Sequence, residues 1–172
     1  SGNLVLDATI YESQMIPGSW VWEDLGNYYG AGASGLTIYD NLYEIHLKSP
    51  ETAGQPTQLL RVVPEIPGLE LRNEVGSSDV NSDQAYIFGN PEDSRRVVRG
   101  TIPKGKSDFV VRAAMPNPIA LLASEFKTKL AANSIILKGS VKFEKSGTNS
   151  STIAETLSPP LRDIIRVTNY ES

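Results

Sequence analysis

The sequence predicts an α+β fold: a strand-rich, antiparallel sheet domain with two main helices and a nested all-β module. Two patterns carry that expectation. Between residues 49 and 112, short runs rich in β-branched and aromatic residues alternate with Pro-Gly, Ser-Ser-Asp, Asn-Pro and Lys-Gly turn chemistry, at the intervals of a meander. Beyond residue 116 the period lengthens, and two segments open on a capping residue followed by proline, the signature of a helix start.

Taken in order, "NLVLDATIYE" predicts a first strand from about Asn3 to Tyr11, and Pro17-Gly18 marks a turn after it. "WVWEDLGNYYGAGASG" sets both tryptophans beside two tyrosines, and its glycines prevent a long helix, so it predicts an aromatic loop with one helical turn. "LTIYDNLYEIHLKS" returns to extended structure, with Leu42, Ile45 and Leu47 interleaved with Tyr43 and His46. Five strands follow in "TQLLRVVP", "LELRNEVG", "DQAYIFGN", "RRVVRGTIP" and "SDFVVRAAM". Asn117 and Pro118 then start a helix whose apolar face is Ile119, Leu122, Phe126 and Leu130, ending at Asn133. "SIILKGSVKFE" supplies another strand and "KSGTNSSTIAET" a loop or weak strand. Ser158 caps a last helix with Pro159 at its first position and Leu161, Ile164, Ile165 and Thr168 along one side. The pattern implies an α+β unit at 1–48 and 113–158 interrupted by a nested β module at 49–112, with a terminal helix over 159–172.

Composition narrows the function. The 172 residues carry a net charge of −4, and Lys and Arg are scattered apart from the Arg95-Arg96 pair, so nucleic acid is not an expected partner. No apolar run approaches the roughly 20 residues of a membrane span. Cysteine is absent, which removes disulfides, zinc thiolates and thiol nucleophiles. The single histidine, His46, falls mid-strand and predicts a partly exposed strand residue rather than a metal ligand or triad base. No metal and no cofactor is expected. "GAGASG" lacks the Gly-Lys-Ser/Thr ending of a phosphate loop and reads as a turn. Asn149-Ser150-Ser151 matches an N-glycosylation acceptor, relevant only to a eukaryotic secreted protein. The chain begins without Met or a signal-peptide pattern, as a segment of a longer protein would.

One loop has the chemistry of a binding site. "WVWEDLGNYY" places Glu23 and Asp24 among Trp20, Trp22, Tyr28 and Tyr29, and an anion bedded in aromatic faces suits a ligand ammonium. The competing expectation is that these rings fill the core where loop meets sheet. A serine nucleophile would need a base such as the lysine of Ser-x-x-Lys. The expectation is a chain with neither that element nor Lys-Thr-Gly, unable to run the chemistry alone.

The ordered segments "GNLVLDATIYE", "PGSWVWEDLGNYYGAGASGLTIYDN", "VRGTIP", "MPNPIALLASEFKTKL", "LKGSV" and "SPPLRDIIRVTNYES" together resemble the serine D-Ala-D-Ala carboxypeptidase/endopeptidase family of DacB-type penicillin-binding proteins, most of all its Bacteroidetes versions. The resemblance covers essentially the whole chain. It implies an exported, periplasmic protein acting on peptidoglycan stem peptides, of which this chain is the accessory insertion between the Ser-x-x-Lys and Ser-x-Asn elements. It implies that Ser172 is the serine of Ser-x-Asn, and that Asp24 and Tyr29 contact the free amine end of the peptidoglycan diamino acid. Where the family commonly has Gly-Ile after the long helix, this chain has Asn133-Ser134-Ile135, so Asn133 is expected to take the left-handed cap conformation. The alternative is a free-standing carbohydrate- or peptide-binding module that uses the aromatic loop.

Overall fold

The structure, a computed structural model, describes residues 2–12, 14–90, 93–147 and 151–171. Its strands are β1 (Leu4–Leu6), β2 (Leu42–Lys48), β3 (Gln58–Val63), β4 (Glu70–Ser78), β5 (Gln84–Phe88), β6 (Arg95–Pro103), β7 (Phe109–Ala114) and β8 (Val141–Phe143). Its helices are α1 (Pro118–Ala132) and α2 (Leu161–Glu171), with single 3-10 turns at Tyr28–Gly30 and Tyr39–Asn41.

Strand β2 is central to a sheet ordered β3-β2-β7, with Ile45 opposite Val62 on one side and Val111 on the other. A second sheet is ordered β4-β6-β5. The alternating runs put Tyr43, Ile45, Leu47, Val75, Ile87, Val98, Ile102 and Val111 inward, so both sheets contribute to one core. All five strands expected between residues 49 and 112 are present, and the α+β class holds. Their arrangement differs from a meander, because β4 pairs in parallel with β6 and β5 closes antiparallel on β6's other side.

Several local expectations are corrected. The first strand stops at Leu6 because the Asp7 carboxylate accepts from the Thr9 N–H at 3.0 Å and the Thr9 hydroxyl at 2.6 Å, turning the chain. Extended structure does not run through Leu36 to Lys48: Tyr39, Asp40 and Asn41 all take positive φ, a conformation that Asp and Asn tolerate better than most residues. The strand in "SIILKGSVKFE" shrinks to β8, which pairs in parallel with β1, and Ile135 and Ile136 are exposed. Ser134, rather than Asn133, adopts the left-handed conformation after α1, with φ of 62° against −98°.

Helix α1 starts as read, with Asn117 Oδ1 accepting from the Ala120 N–H at 2.9 Å. Its buried residues are Pro118, Leu121 and Ala123, while Phe126 is exposed. Helical periodicity sets the width of an apolar stripe; contact with the body selects which edge of it is covered. Helix α2 begins at Leu161, with the Pro160 carbonyl accepting from Asp163 N–H at 2.9 Å. Pro159 cannot be its first residue, because a residue preceding proline is pushed out of the helical region. The N-glycosylation pattern at Asn149 lies outside the described residues. Among the described residues no helix is long and apolar enough to cross a membrane.

Candidate functional site

The aromatic loop is built as successive turns. Asp24 N–H donates to the Val21 carbonyl at 3.1 Å, Asn27 N–H to the Asp24 carbonyl at 3.0 Å and Gly30 N–H to the Asn27 carbonyl at 2.8 Å. Two glycines let it lie flat on the body. A Cβ at Gly26 would stand 1.9 Å from the Ile87 carbonyl oxygen, and one at Gly30 would stand 2.1 Å from that of Asp24. The Gly26 carbonyl accepts from Ala114 N–H at 2.9 Å, and Asn27 forms a bridge to Ala113 on β7.

This path leaves Asp24 half-buried and Tyr29 exposed at its rim. The Tyr29 ring meets Tyr28 edge to face, with centroids 5.1 Å apart. Burial pushes the Tyr29 phenol above its ordinary pKa, and the negative charge of the nearby Asp24 carboxylate adds to the effect, as do Tyr86 and Glu23. Asp24 and Tyr29 are therefore neighbours in space. Trp20 is 40% exposed and Trp22 54%, so the tryptophans are not core fillers, contrary to the competing expectation. A carboxylate beside half-exposed aromatic faces can hold an ammonium by a charge-assisted hydrogen bond while a ring packs on its methylenes.

The remaining candidates fall elsewhere. Ser172 lies outside the described residues. His46 is buried rather than partly exposed: Nδ1 is 2.7 Å from Asp108 Oδ1 and Nε2 is 3.4 Å from Glu44 Oε2. Asp108 in turn pairs with Arg61 at 2.7 Å, so the histidine is tied into an ionic cluster across β2, β3 and the start of β7.

The expected lack of a Ser-x-x-Lys spacing is also corrected, since residues 124–127 read Ser-Glu-Phe-Lys. Ser124 sits in the middle of α1 and Lys127 is exposed; among the described residues no hydrogen bond joins the Ser124 hydroxyl to the Lys127 amine. A nucleophile needs its base within hydrogen-bond reach, and this pair lacks that contact. Lys145-Ser146-Gly147 approximates Lys-Thr-Gly, but the Asp7 carboxylate accepts both the Ser146 N–H at 2.8 Å and its hydroxyl at 2.9 Å. These bonds hold Asp7 below the usual carboxylate range.

Two features escaped the sequence. A cleft of about 440 Å³ opens beside the start of α1, between Leu6, Tyr11, Met15, Pro118 and Phe143. Asn27, within the aromatic loop, is buried. No local pattern announces the cleft, whereas a lone amide between Gly26 and Gly30 was a visible signal for Asn27.

Comparison with known proteins gives the lineage. D-alanyl-D-alanine carboxypeptidase DacB of Haemophilus influenzae is 22% identical over 169 residues, covering 96% of this chain and 35% of that protein. The crystal structure of penicillin binding protein 4 (dacB) from Haemophilus influenzae superposes with a TM-score of 0.74 at 21% identity, over 95% of this chain and 36% of that one. A second crystal structure of that protein, complexed with a novel beta-lactam, matches 77% of this chain with a TM-score of 0.60 at 20% identity. The chain thus spans about a third of the length of these relatives and shares their fold. The family described as D-Ala-D-Ala carboxypeptidase 3 (S13) matches residues 1–172, and the chain belongs to that family.

Proposed function

We propose that this chain is the accessory, non-catalytic region of an exported peptidoglycan D-alanyl-D-alanine carboxypeptidase/endopeptidase, where it shapes the approach of the stem peptide to a catalytic domain. In this reading 1–48 and 113–158 form one accessory unit, 49–112 a nested β module, and 159–172 the return to the catalytic domain. Strand β2 lies where the two meet, hydrogen-bonding to β3 on one side and to β7 on the other. Asp24 and Tyr29 are the contacts for the free amine of the diamino acid, and Ser172 is the serine of a Ser-x-Asn element.

The observation that carries the reading is the Asp24–Tyr29 pair, set together on a half-exposed rim by a loop that is bonded to the body at Gly26 and Asn27. In the full-length polypeptide, Asp24→Ala is expected to weaken kcat/KM on substrates with a free diamino-acid amine by about tenfold, and much less on simple acyl-D-Ala-D-Ala. Equal losses on both would remove the role. The isolated chain is expected to form no covalent adduct with a fluorescent penicillin, because Ser124 lacks an engaged base. An adduct on Ser124 would overturn the non-catalytic assignment.

A further inference from the structure

We infer that Asn27 is the positioning residue of this site: it ties the Asp24–Tyr29 loop to the facing edges of both sheets and so sets where the carboxylate stands relative to the ring. The inference rests on the recognition role proposed for Asp24 and Tyr29, and goes beyond it by naming what holds them.

Asn27 is 3% exposed and uses both ends of its amide. Its Nδ2 donates to the Glu23 carbonyl at 2.6 Å, gripping the residue before Asp24. Its Oδ1 accepts from Ile87 N–H at 3.1 Å. Ile87 belongs to β5, an outer strand of the β4-β6-β5 sheet, while the Asn27 backbone bridges to Ala113 on β7, an outer strand of β3-β2-β7. One residue therefore joins two sheet edges and one loop. Edge strands present unpaired backbone groups that must be satisfied or wetted, and the asparagine supplies one such partner within the protein.

The division of labour between backbone and side chain separates positioning from plain stability. Gly26 is already held to β7 by the bond from Ala114 N–H at 2.9 Å. What the Asn27 amide adds is the link from the Glu23–Asp24 segment to the second sheet, which also carries Tyr86, whose hydroxyl acts on that of Tyr29. Without that link the loop stays attached at Gly26, but the carboxylate loses its fixed place. Recognition of an ammonium by one carboxylate and one ring is sensitive to displacements on the order of 1 Å.

The test uses the full-length polypeptide and the ratio of kcat/KM for an amine-bearing stem peptide to that for simple acyl-D-Ala-D-Ala. Asn27→Ala is expected to lower this ratio by roughly five- to tenfold, chiefly through KM, and Asn27→Asp by less, because it still accepts from Ile87 N–H but cannot donate to Glu23. Asp24→Ala runs in parallel. If Asp24→Ala shifts the ratio and Asn27→Ala leaves it at the wild-type value, Asn27 is a structural residue only and the inference is overturned while the recognition reading stands. If Asp24→Ala leaves the ratio unchanged, the recognition reading falls and takes the inference with it. Circular dichroism reports whether Asn27→Ala folds; if it does not, a wild-type ratio in Asn27→Asp overturns the inference.

Discussion

Tyr43 in β2 is buried to 1% exposure, and its hydroxyl has no hydrogen-bond partner among the described residues. Burial raises its pKa to about 12, with Arg96 opposing. The raised value means the folded chain keeps the proton where the unfolded chain has lost it. The associated stability is complete below pH 10 and declines as pH climbs toward 12, by up to ~3 kcal/mol over that window. Tyr43→Phe removes the titrating group together with an unsatisfied hydroxyl. We expect it to be neutral or stabilising at pH 7 and to flatten the alkaline limb, as read by urea denaturation between pH 9 and 12. An unchanged alkaline slope would show that Tyr43 does not titrate in the unfolding transition. Arg96 shows the same tension in a cation: burial lowers its pKa while it donates to the carbonyls of Asn90 and Arg95 at 3.0 Å each.

At the scale of elements, the β3-β2-β7 sheet is pinned by ions as well as by its ladder. Asp108, just before β7, accepts from His46 on β2 and Arg61 on β3, and these bonds, His46 first, hold its carboxyl below the ordinary range. A depressed carboxylate contributes stability above its unfolded pKa and loses it as pH falls through the folded value. Asp108→Asn is therefore expected to lower the melting temperature at pH 7 and to narrow its difference from wild type as pH drops below about 4. A melting-temperature gap that stays constant down to pH 2 would show that the charge of Asp108 is not what pins the strands. Arg61 and Asp108 are both partly solvated, so the wild-type difference should shrink in high salt as well.

The whole molecule divides into a well-buried two-sheet body and an exposed periphery. Helix α2 shows Leu161 at 70% exposure and Tyr170 at 81%, and Ile164, Ile165 and Val167 are exposed too. Its apolar residues follow helical spacing, yet a helix of 11 residues has little stability of its own when no apolar stripe is covered. Amides in α2 are expected to exchange with solvent orders of magnitude faster than those of β2 and β7 in the isolated chain, as measured by hydrogen exchange. Protection in α2 equal to that of β2 would mean the helix is covered by other parts of the chain. In the full-length polypeptide, protection of α2 should rise if the helix returns to a catalytic domain as proposed.

The sequence by itself determined the elements whose signals are local. Alternating apolar residues bounded by turn chemistry marked each strand from β3 to β7, and Asn117-Pro118 marked the start of α1, because side-chain direction and capping depend on residues a few positions apart. It also set Glu23 and Asp24 among Trp20, Trp22, Tyr28 and Tyr29 in one short loop. Only the tertiary structure decided that β6 would stand between β4 and β5, that Leu121 rather than Phe126 would be covered, and that Trp20 and Trp22 would remain at the surface. It alone revealed Asn27 as the link between the loop and both sheets, since Ile87 lies 60 residues away in the chain. Pairings over such separations depend on which surfaces meet after collapse, and no local pattern of residues encodes that choice.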